Sequence, residues 1–209
     1  CGVAKGERVL VKARKSMDVL ALYLGCLQLG AIYVPVNPLS TADEVSFFVD
    51  DAEPALVVFD PIENISTDVQ SESIGLGGSL TSLAEANDRE ITIQANDGTD
   101  VAAMLYTSGT TGRPKGAMIS HLALINNGAA LNRIWGFDTT DVLLHSLPVF
   151  HVHGLFVAIH CAMLSGATVI LLEKFSVDEV LESLPKSTVM MGVPTYYTRL
   201  LSNDAFTAD

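Results

Sequence analysis

The stretch from residue 104 to residue 116 concentrates the side chains that bind phosphate in proteins. Four Ser or Thr hydroxyls, three glycines and two cations follow an apolar run: Thr107, Ser108, Gly109, Thr110, Thr111, Gly112, Arg113, Lys115 and Gly116. Glycines let successive backbone N–H groups turn toward one point, hydroxyls donate hydrogen bonds without bulk, and the cations neutralise a polyanion. The segment therefore predicts a loop that binds a triphosphate.

Two familiar phosphate loops do not fit these residues. The lysine precedes a glycine where a Walker loop needs Gly-Lys-Ser/Thr, and Pro114 would obstruct the helix that should follow. The glycines after Gly109 fall three and seven positions on, which differs from the dinucleotide pattern GxGxxG. A plain Gly/Thr-rich turn between two strands is the alternative without a ligand.

A second constellation is a pair of histidines, His151 and His153, where a predicted strand gives way to a predicted helix. Three interpretations fit such a pair: two metal ligands that lack an evident third and fourth, two structural histidines, or an active-site pair that faces a carboxylate. Local spacing does not choose among them.

The chain resembles the adenylate-forming superfamily, which comprises acyl-CoA synthetases, luciferases and adenylation domains. Tyr106–Gly116 resembles the phosphate loop of that superfamily, and residues 30–38 resemble its upstream GAxxxPxNP segment. The Pro-x-Phe-His-x-x-Gly pattern at residues 148–154 resembles its acyl-pocket motif. Residues 150–158 together with 190–201 are similar in particular to malonyl-CoA synthetases.

The resemblance implies an ATP-dependent acid–CoA ligase that works in two steps. A carboxylate, malonate above all, attacks Mg-ATP to give acyl-AMP and pyrophosphate, and coenzyme A then forms the thioester. The implied catalytic residues are His151, Lys115 and Thr107, and Thr107 also contacts Mg²⁺. The implied binding residues for the β- and γ-phosphates are Thr107, Ser108, Gly109, Thr110, Thr111, Gly112 and Lys115. The resemblance also implies that His151 orients the carboxylate. The residues that it implies for the acyl pocket are His153, Met191, Gly192, Val193 and Pro194.

Two other functions stay open. One is a CoA ligase for another short or aryl acid, and the other is a nucleotide-binding module without catalysis. Members of the superfamily run to more than twice 209 residues, so the resemblance implies a piece of the large N-terminal domain. We therefore expect the remainder of the polypeptide to be needed for activity, and the 209 residues alone to be inactive.

The elements around these motifs alternate between strands and helices. Apolar runs and three-to-four spacing predict strands at 8–13, 31–36, 55–59, 101–106, 116–120, 141–147, 167–172 and 188–191, and helices at 17–29, 41–51, 122–134, 152–164, 177–184 and 196–201. This order predicts an α/β fold of βαβ units, with mostly parallel sheets packed by helices. We expect four parts: a first βαβ portion (1–60), an acidic variable excursion (61–100), a phosphate-loop hairpin (101–120) and a second α/β portion (121–209).

The composition and charge of the chain limit the kinds of partner that it can bind. With 49% hydrophobic residues and a formal net charge of −12, the chain is neither disordered nor suited to nucleic acid or anionic membranes. Asp60–Asp100 holds nine acidic residues and one basic residue, which indicates either an acidic interaction surface or a solvated excursion. The charge-free run 145–172 is interrupted by Pro148 and by Ser165-Gly166, so we expect a buried helix and strand and no membrane span. Three scattered cysteines (Cys1, Cys26, Cys161) predict buried, reduced thiols in a cytoplasmic protein.

Overall fold

The computed structural model describes residues 1–63, 67–87, 93–107 and 113–207. The chain divides into two compact units, Cys1–Ala123 and Leu124–Asp209, and the division falls inside a helix. Each unit contains its own sheet, so each is described by itself.

The first unit is built on a mostly parallel sheet. Its strand order is β4-β3-β1-β2-β5-β6, and only β5 and β6 run antiparallel. The described elements of this unit are β1 (Arg8–Lys12), α1 (Met17–Leu29), β2 (Ile32–Pro35), α2 (Ala42–Ala52), β3 (Leu56–Phe59), β4 (Ser71–Ser73), α3 (Ser79–Glu85), β5 (Val101–Thr107) and β6 (Lys115–Ser120).

Local signals in the sequence set the ends of α1 and α2. Ser16 caps α1 by accepting a hydrogen bond from the backbone N–H of Val19, and Gly30 ends it in the left-handed conformation, at φ 76°. Thr41 caps α2, and it forms a reciprocal capping box with Glu44. The bounds predicted for α1 are confirmed.

The second unit has a three-stranded parallel sheet, in the order β8-β7-β9. The central strand is β7, and hydrophobic side chains around Leu143 and Leu144 are buried on both of its sides. The described elements are α4 (His121–Trp135), β7 (Val142–His145), a π-helical segment (His153–Ile159), α5 (His160–Ser165), β8 (Thr168–Leu171), α6 (Val177–Ser183), a 3₁₀ turn (Leu184–Lys186), β9 (Val189–Met190) and α7 (Pro194–Leu201).

The predicted α/β fold with mostly parallel sheets is confirmed, with three differences in detail. The single helix predicted at 152–164 is a π-helical segment followed by α5; the backbone N–H of His160 bonds to the carbonyl of Leu155, five residues back. The predicted excursion 61–100 contains β4 and α3. Cys26 and Cys161 are buried, but Cys1 is exposed, so the prediction for that thiol is wrong.

The charge-free run 145–172 contributes the end of β7, the π-helical segment, α5 and β8. Among the described residues, every helix is too short or too polar to cross a membrane.

Candidate functional site

The predicted phosphate loop joins β5 to β6. Thr107 and Lys115 stand directly opposite each other as the last pair of the antiparallel ladder, and both are exposed. Ser108, Gly109, Thr110, Thr111 and Gly112 lie outside the described residues, so their contribution stays a prediction. The structure therefore places the two ends of the loop side by side at the mouth of a hairpin.

The described part of this hairpin mouth is cationic. Arg113 and Lys115 are both exposed, and none of the ion pairs between described residues involves either of them. Thr107, which carries a hydroxyl, is the residue opposite Lys115 in the ladder. Such a group of donors without a competing carboxylate can bind a polyanion.

The other face of the hairpin is fixed to α2. The hydroxyl of Tyr106 donates a hydrogen bond to Oδ2 of Asp51 over 2.6 Å, and its ring lies 4.6 Å from that of Phe48. Burial, followed by this hydrogen bond, raises the pKa of Tyr106 well above its usual value, so the phenol stays protonated. Side chains alternate along a strand, so Tyr106 packs against the helix while Thr107 points away from it.

Gly116 fits closely beside a buried methionine. A Cβ at position 116 would lie 2.8 Å from Sδ of Met104, which belongs to the core cluster under α2. Any larger residue there requires Met104 to move. The glycine that follows Lys115 therefore has a packing role as well as a place in the motif.

The histidine segment begins at the carboxyl end of β7. His151 is exposed, its ring lies 4.4 Å from that of Phe150, and partial desolvation lowers its pKa below the ordinary 6.5. Its carbonyl accepts a hydrogen bond from the backbone N–H of Leu155 over 3.0 Å, which starts the helical turns. At neutral pH His151 is therefore an uncharged imidazole open to solvent.

His153 is half-buried and lines a cavity of about 330 Å³. Two more predicted pocket residues, Met191 and Gly192, line the same cavity, whereas His151, Val193 and Pro194 do not. Val193 and Pro194 are exposed and begin α7. The structure thus brings together three of the predicted acyl-pocket residues.

The cavity also contains residues that sequence reasoning missed. They come from the end of α4, the start of β7, β9 and α7, and they are Trp135, Gly136, Phe137, Asp141, Val189, Met190 and Tyr197. Only Gly136, a left-handed turn residue at φ 70°, was a local signal that the chain folds back here. Three large aromatic side chains therefore share the cavity lining with the polar side chains of His153 and Asp141.

Asp141 and Arg199 have structural partners. Oδ1 of Asp141 accepts a hydrogen bond from the hydroxyl of Thr188, and Oδ2 accepts one from the backbone N–H of Asp138. The guanidinium of Arg199 lies 5.1 Å from the ring centroid of Phe175. This contact agrees with a structural role for Arg199 in α7.

Two further observations bear on ligands. A larger cavity of about 700 Å³ lies between α2 and the chain after β3; Lys12 and Glu63 line it as an ion pair, and it contains no predicted site residue. Within residues 1–63, 67–87, 93–107 and 113–207, no group of three His, Cys, Asp or Glu side chains could hold a metal ion. The metal interpretation of His151 and His153 therefore has no third ligand there.

Comparison with known proteins identifies one matching family and several similar CoA ligases. The family described as "AMP-binding enzyme" matches residues 1–209. The mitochondrial malonate–CoA ligase of Mus musculus is 32% identical over 96% of this chain and 36% of its own length. A 4-coumarate–CoA ligase of Oryza sativa is 30% identical over 98% of this chain and 41% of its own.

Among solved structures, ATP-bound MatB from Rhodopseudomonas palustris superposes with a TM-score of 0.93 at 40% identity. The match covers 99% of this chain and 43% of that one. The chain thus spans about two fifths of the length of the relatives it matches. Its fold is that of the corresponding part of these proteins.

Proposed function

This chain belongs to the AMP-binding enzyme family, and we propose that it forms part of an ATP-dependent acid–CoA ligase whose acid is malonate. The observation that carries the proposal is the likeness over nearly the whole chain to the protein crystallised as ATP-bound MatB. The cationic hairpin mouth suits the phosphates of ATP, and the histidine segment suits the acid. A cytoplasmic location is part of the proposal.

In this proposal the hairpin holds the tail of ATP. Lys115 and Thr107 bind the β- and γ-phosphates together with the residues between them, Ser108, Gly109, Thr110, Thr111 and Gly112. Proteins usually bind Mg²⁺ through one or two side-chain oxygens while substrate phosphates and waters complete its shell, and the Thr107 hydroxyl fits that donor set. A bound Mg²⁺ would neutralise phosphate charge.

His151 has the properties needed to orient the acid. Its lowered pKa leaves the ring neutral near pH 7, so one ring nitrogen carries a proton and can donate it in a hydrogen bond to a carboxylate oxygen. Its exposure leaves that donor accessible. His153, Met191 and Gly192 then shape the space for the rest of the acid, with Val193 and Pro194 at the start of the adjoining helix.

The chemistry proceeds in two displacements. A carboxylate oxygen forms a bond to the α-phosphorus, the bond to the bridging oxygen breaks, and pyrophosphate leaves with the electron pair. The thiol of coenzyme A then loses its proton to solvent, its sulfur forms a bond to the acyl carbon, and the bond from that carbon to the phosphate oxygen breaks, so AMP leaves with the electron pair. Lys115 stabilises the charge that grows on the departing pyrophosphate, and His151 holds the attacking oxygen in line.

Malonate is proposed because the cavity is small and holds an imidazole. A volume of about 330 Å³ lies at the lower end of ligand-binding cavities. His153 offers a hydrogen bond to a second carboxylate. The second candidate is an aryl acid, because Trp135, Phe137 and Tyr197 would pack against an aromatic ring, and a 4-coumarate–CoA ligase is among the relatives.

A substitution of Lys115 tests whether the hairpin binds the phosphates of ATP. In the full-length enzyme, Lys115→Ala is expected to lower kcat/KM for ATP about 100-fold in a pyrophosphate-release assay, because a charge-assisted contact to the phosphates is lost. Lys186→Ala, at another exposed lysine, is the matched control and should stay within about twofold. Equal activity of the two variants contradicts the phosphate role of Lys115.

Assays with a panel of carboxylic acids test which acid the enzyme activates. Malonate is expected to give the highest rate of acyl-CoA formation, ahead of acetate and 4-coumarate. Equal rates with malonate and acetate would contradict the proposal that the enzyme selects a dicarboxylate. A preference for 4-coumarate would favour the aryl-acid ligase. ATP binding by calorimetry without pyrophosphate release from any acid would indicate a non-catalytic nucleotide-binding module.

A further inference from the structure

We propose that His145 is a positioning residue for the acid: its buried imidazole fixes, through the carbonyl of Gly154, the segment that carries His151 and His153. The inference rests on the proposed function, because it assigns that segment to the acid. Neither the motifs nor the cavity lining contains His145.

The backbone of His145 is held by the sheet. It is the last residue of β7, the central strand, where it pairs with Leu171 of β8. Its carbonyl accepts a hydrogen bond from the backbone N–H of Leu172 over 3.1 Å. The side chain is completely buried. His145 therefore starts from a rigid position in the second unit.

The imidazole reaches from the sheet to the π-helical segment. Nε2 of His145 lies 2.9 Å from the carbonyl oxygen of Gly154. A carbonyl oxygen can only accept, so Nε2 must carry the proton and donate it. In a buried environment such a bond is costly to break, because neither partner can turn to water instead.

Gly154 is confined from a second direction. A Cβ at position 154 would lie 2.1 Å from the carbonyl oxygen of Pro148, so the two backbones touch. The same Pro148 carbonyl accepts a hydrogen bond from the N–H of His151 at 3.4 Å, and the His151 carbonyl accepts one from Leu155. A shift of Gly154 would therefore move the backbone on which both His151 and His153 are mounted.

A displacement of that backbone should affect the acid more than the nucleotide. Misplacing a reacting group by about 1 Å can lower a rate on the order of 100-fold. His145 touches the histidine segment and belongs to a different unit from the hairpin. The inference therefore predicts a selective effect on the KM for the acid and on kcat.

The test uses two substitutions of similar length in the full-length enzyme. His145→Gln keeps an N–H donor, whereas His145→Met does not. We expect kcat/KM for malonate to fall about 10- to 100-fold in the Met variant and by less than about threefold in the Gln variant, with the KM for ATP unchanged in both. Equal losses in the two variants, or a loss shared equally with ATP, would overturn the proposal.

His160 supplies the control. It is another buried histidine of the second unit, in α5, and is absent from the proposed machinery. The same Gln and Met substitutions there should change the melting temperature without a selective change in the KM for malonate. A matching selective change at His160 would mean that any buried histidine produces the effect, and would overturn the proposal.

A measurement on the unsubstituted enzyme covers the case in which the Met variant does not fold. In a long-range ¹H–¹⁵N spectrum, His145 should be protonated at Nε2, and exchange of that proton should slow when malonate is added but not when ATP is added. An Nδ1-protonated ring, or no response to malonate, contradicts the inference. No activity of the unsubstituted enzyme with any acid would instead contradict the proposed function.

Discussion

Lys115 is exposed opposite Thr107, Arg113 is exposed two residues earlier, and the described residues supply no carboxylate partner for either cation. Elsewhere in the first unit, Lys5, Arg8, Lys12 and Arg14 all form ion pairs. In a chain with a net charge of −12, two cations that no described carboxylate neutralises provide a local positive potential at the hairpin mouth, which can attract an anion.

The three cysteines differ in reactivity for a physical reason. Cys1 is exposed, whereas burial raises the pKa of Cys26 to about 12 and also raises that of Cys161. Only a thiolate attacks a disulfide reagent, so for these 209 residues we expect one rapidly reacting thiol in the native state and three after denaturation. A chromogenic thiol titration measures both numbers.

Cys1→Ser is the control for that titration. It should abolish the rapid native reaction and leave two thiols in denaturant. Rapid reaction of all three native thiols would show that the environments of Cys26 and Cys161 are open to the reagent.

The site residues were predictable from sequence to different degrees. Thr107 and Lys115 lie within one short motif, and His153 and Met191 were grouped by resemblance before the structure placed both on one cavity. Phe137, by contrast, reaches that cavity from the loop between α4 and β7, outside both motifs. Contacts between distant elements follow from tertiary packing, and no local pattern encodes them.

At the level of elements, two glycines offer a direct comparison. Gly154→Ala places a methyl group against the Pro148 carbonyl, and we expect destabilisation of more than about 3 kcal/mol, because backbone atoms cannot move aside. Gly25→Ala, in an exposed position within α1 with open space around it, should stabilise by about 0.5–1 kcal/mol. Urea unfolding of both variants measures the difference.

The opposite signs of these two effects are the decisive result. Unfolding of Gly154→Ala at the same urea concentration as the unsubstituted protein would contradict the close contact between the Pro148 carbonyl and Gly154. Gly25→Ala controls for the general effect of adding a methyl group within a helix.

Elements with capping residues and an apolar period were predicted best. α1 has Ser16 before it and Gly30 after it, and its bounds match the prediction. β4 was missed because its three residues, Ser71–Ser73, are polar and show no alternation. The π-helical segment was missed because apolar spacing does not distinguish a five-residue hydrogen-bond step from the four-residue step of an α-helix.

For the whole molecule, three histidines that are partly or largely removed from water predict a loss of stability on mild acidification. Desolvation is the main cause that lowers the pKa of His121, His151 and His160 below 6.5 in the folded protein. Below pH 6.5 the unfolded chain binds more protons than the folded one, so the free energy of unfolding falls as pH drops. Each pKa unit of lowering corresponds to about 1.4 kcal/mol for a buried ring such as His160, and to less for His121 and His151, whose charge solvent screens.

Urea unfolding between pH 7.5 and pH 5.5 measures this effect. We expect the midpoint to decrease through this range, and His160→Gln to show a shallower decrease because one buried titrating ring is gone. Asp97, Asp100 and Asp138 have pKa values lowered from 3.8, so they titrate below this window. A midpoint independent of pH would contradict the desolvation of these rings.

The close fit of Gly116 beside Met104 also fixes the register of the hairpin. Sliding β6 by one residue along β5 would turn every β6 side chain to the opposite face of the sheet. Lys115 would then take the place of Gly116, and its ammonium group would enter the apolar layer under α2 beside Met104 and Phe48. The absence of a side chain at Gly116 thus determines which way Lys115 points. Close packing on the face under α2 keeps the lysine on the opposite, exposed face of the hairpin.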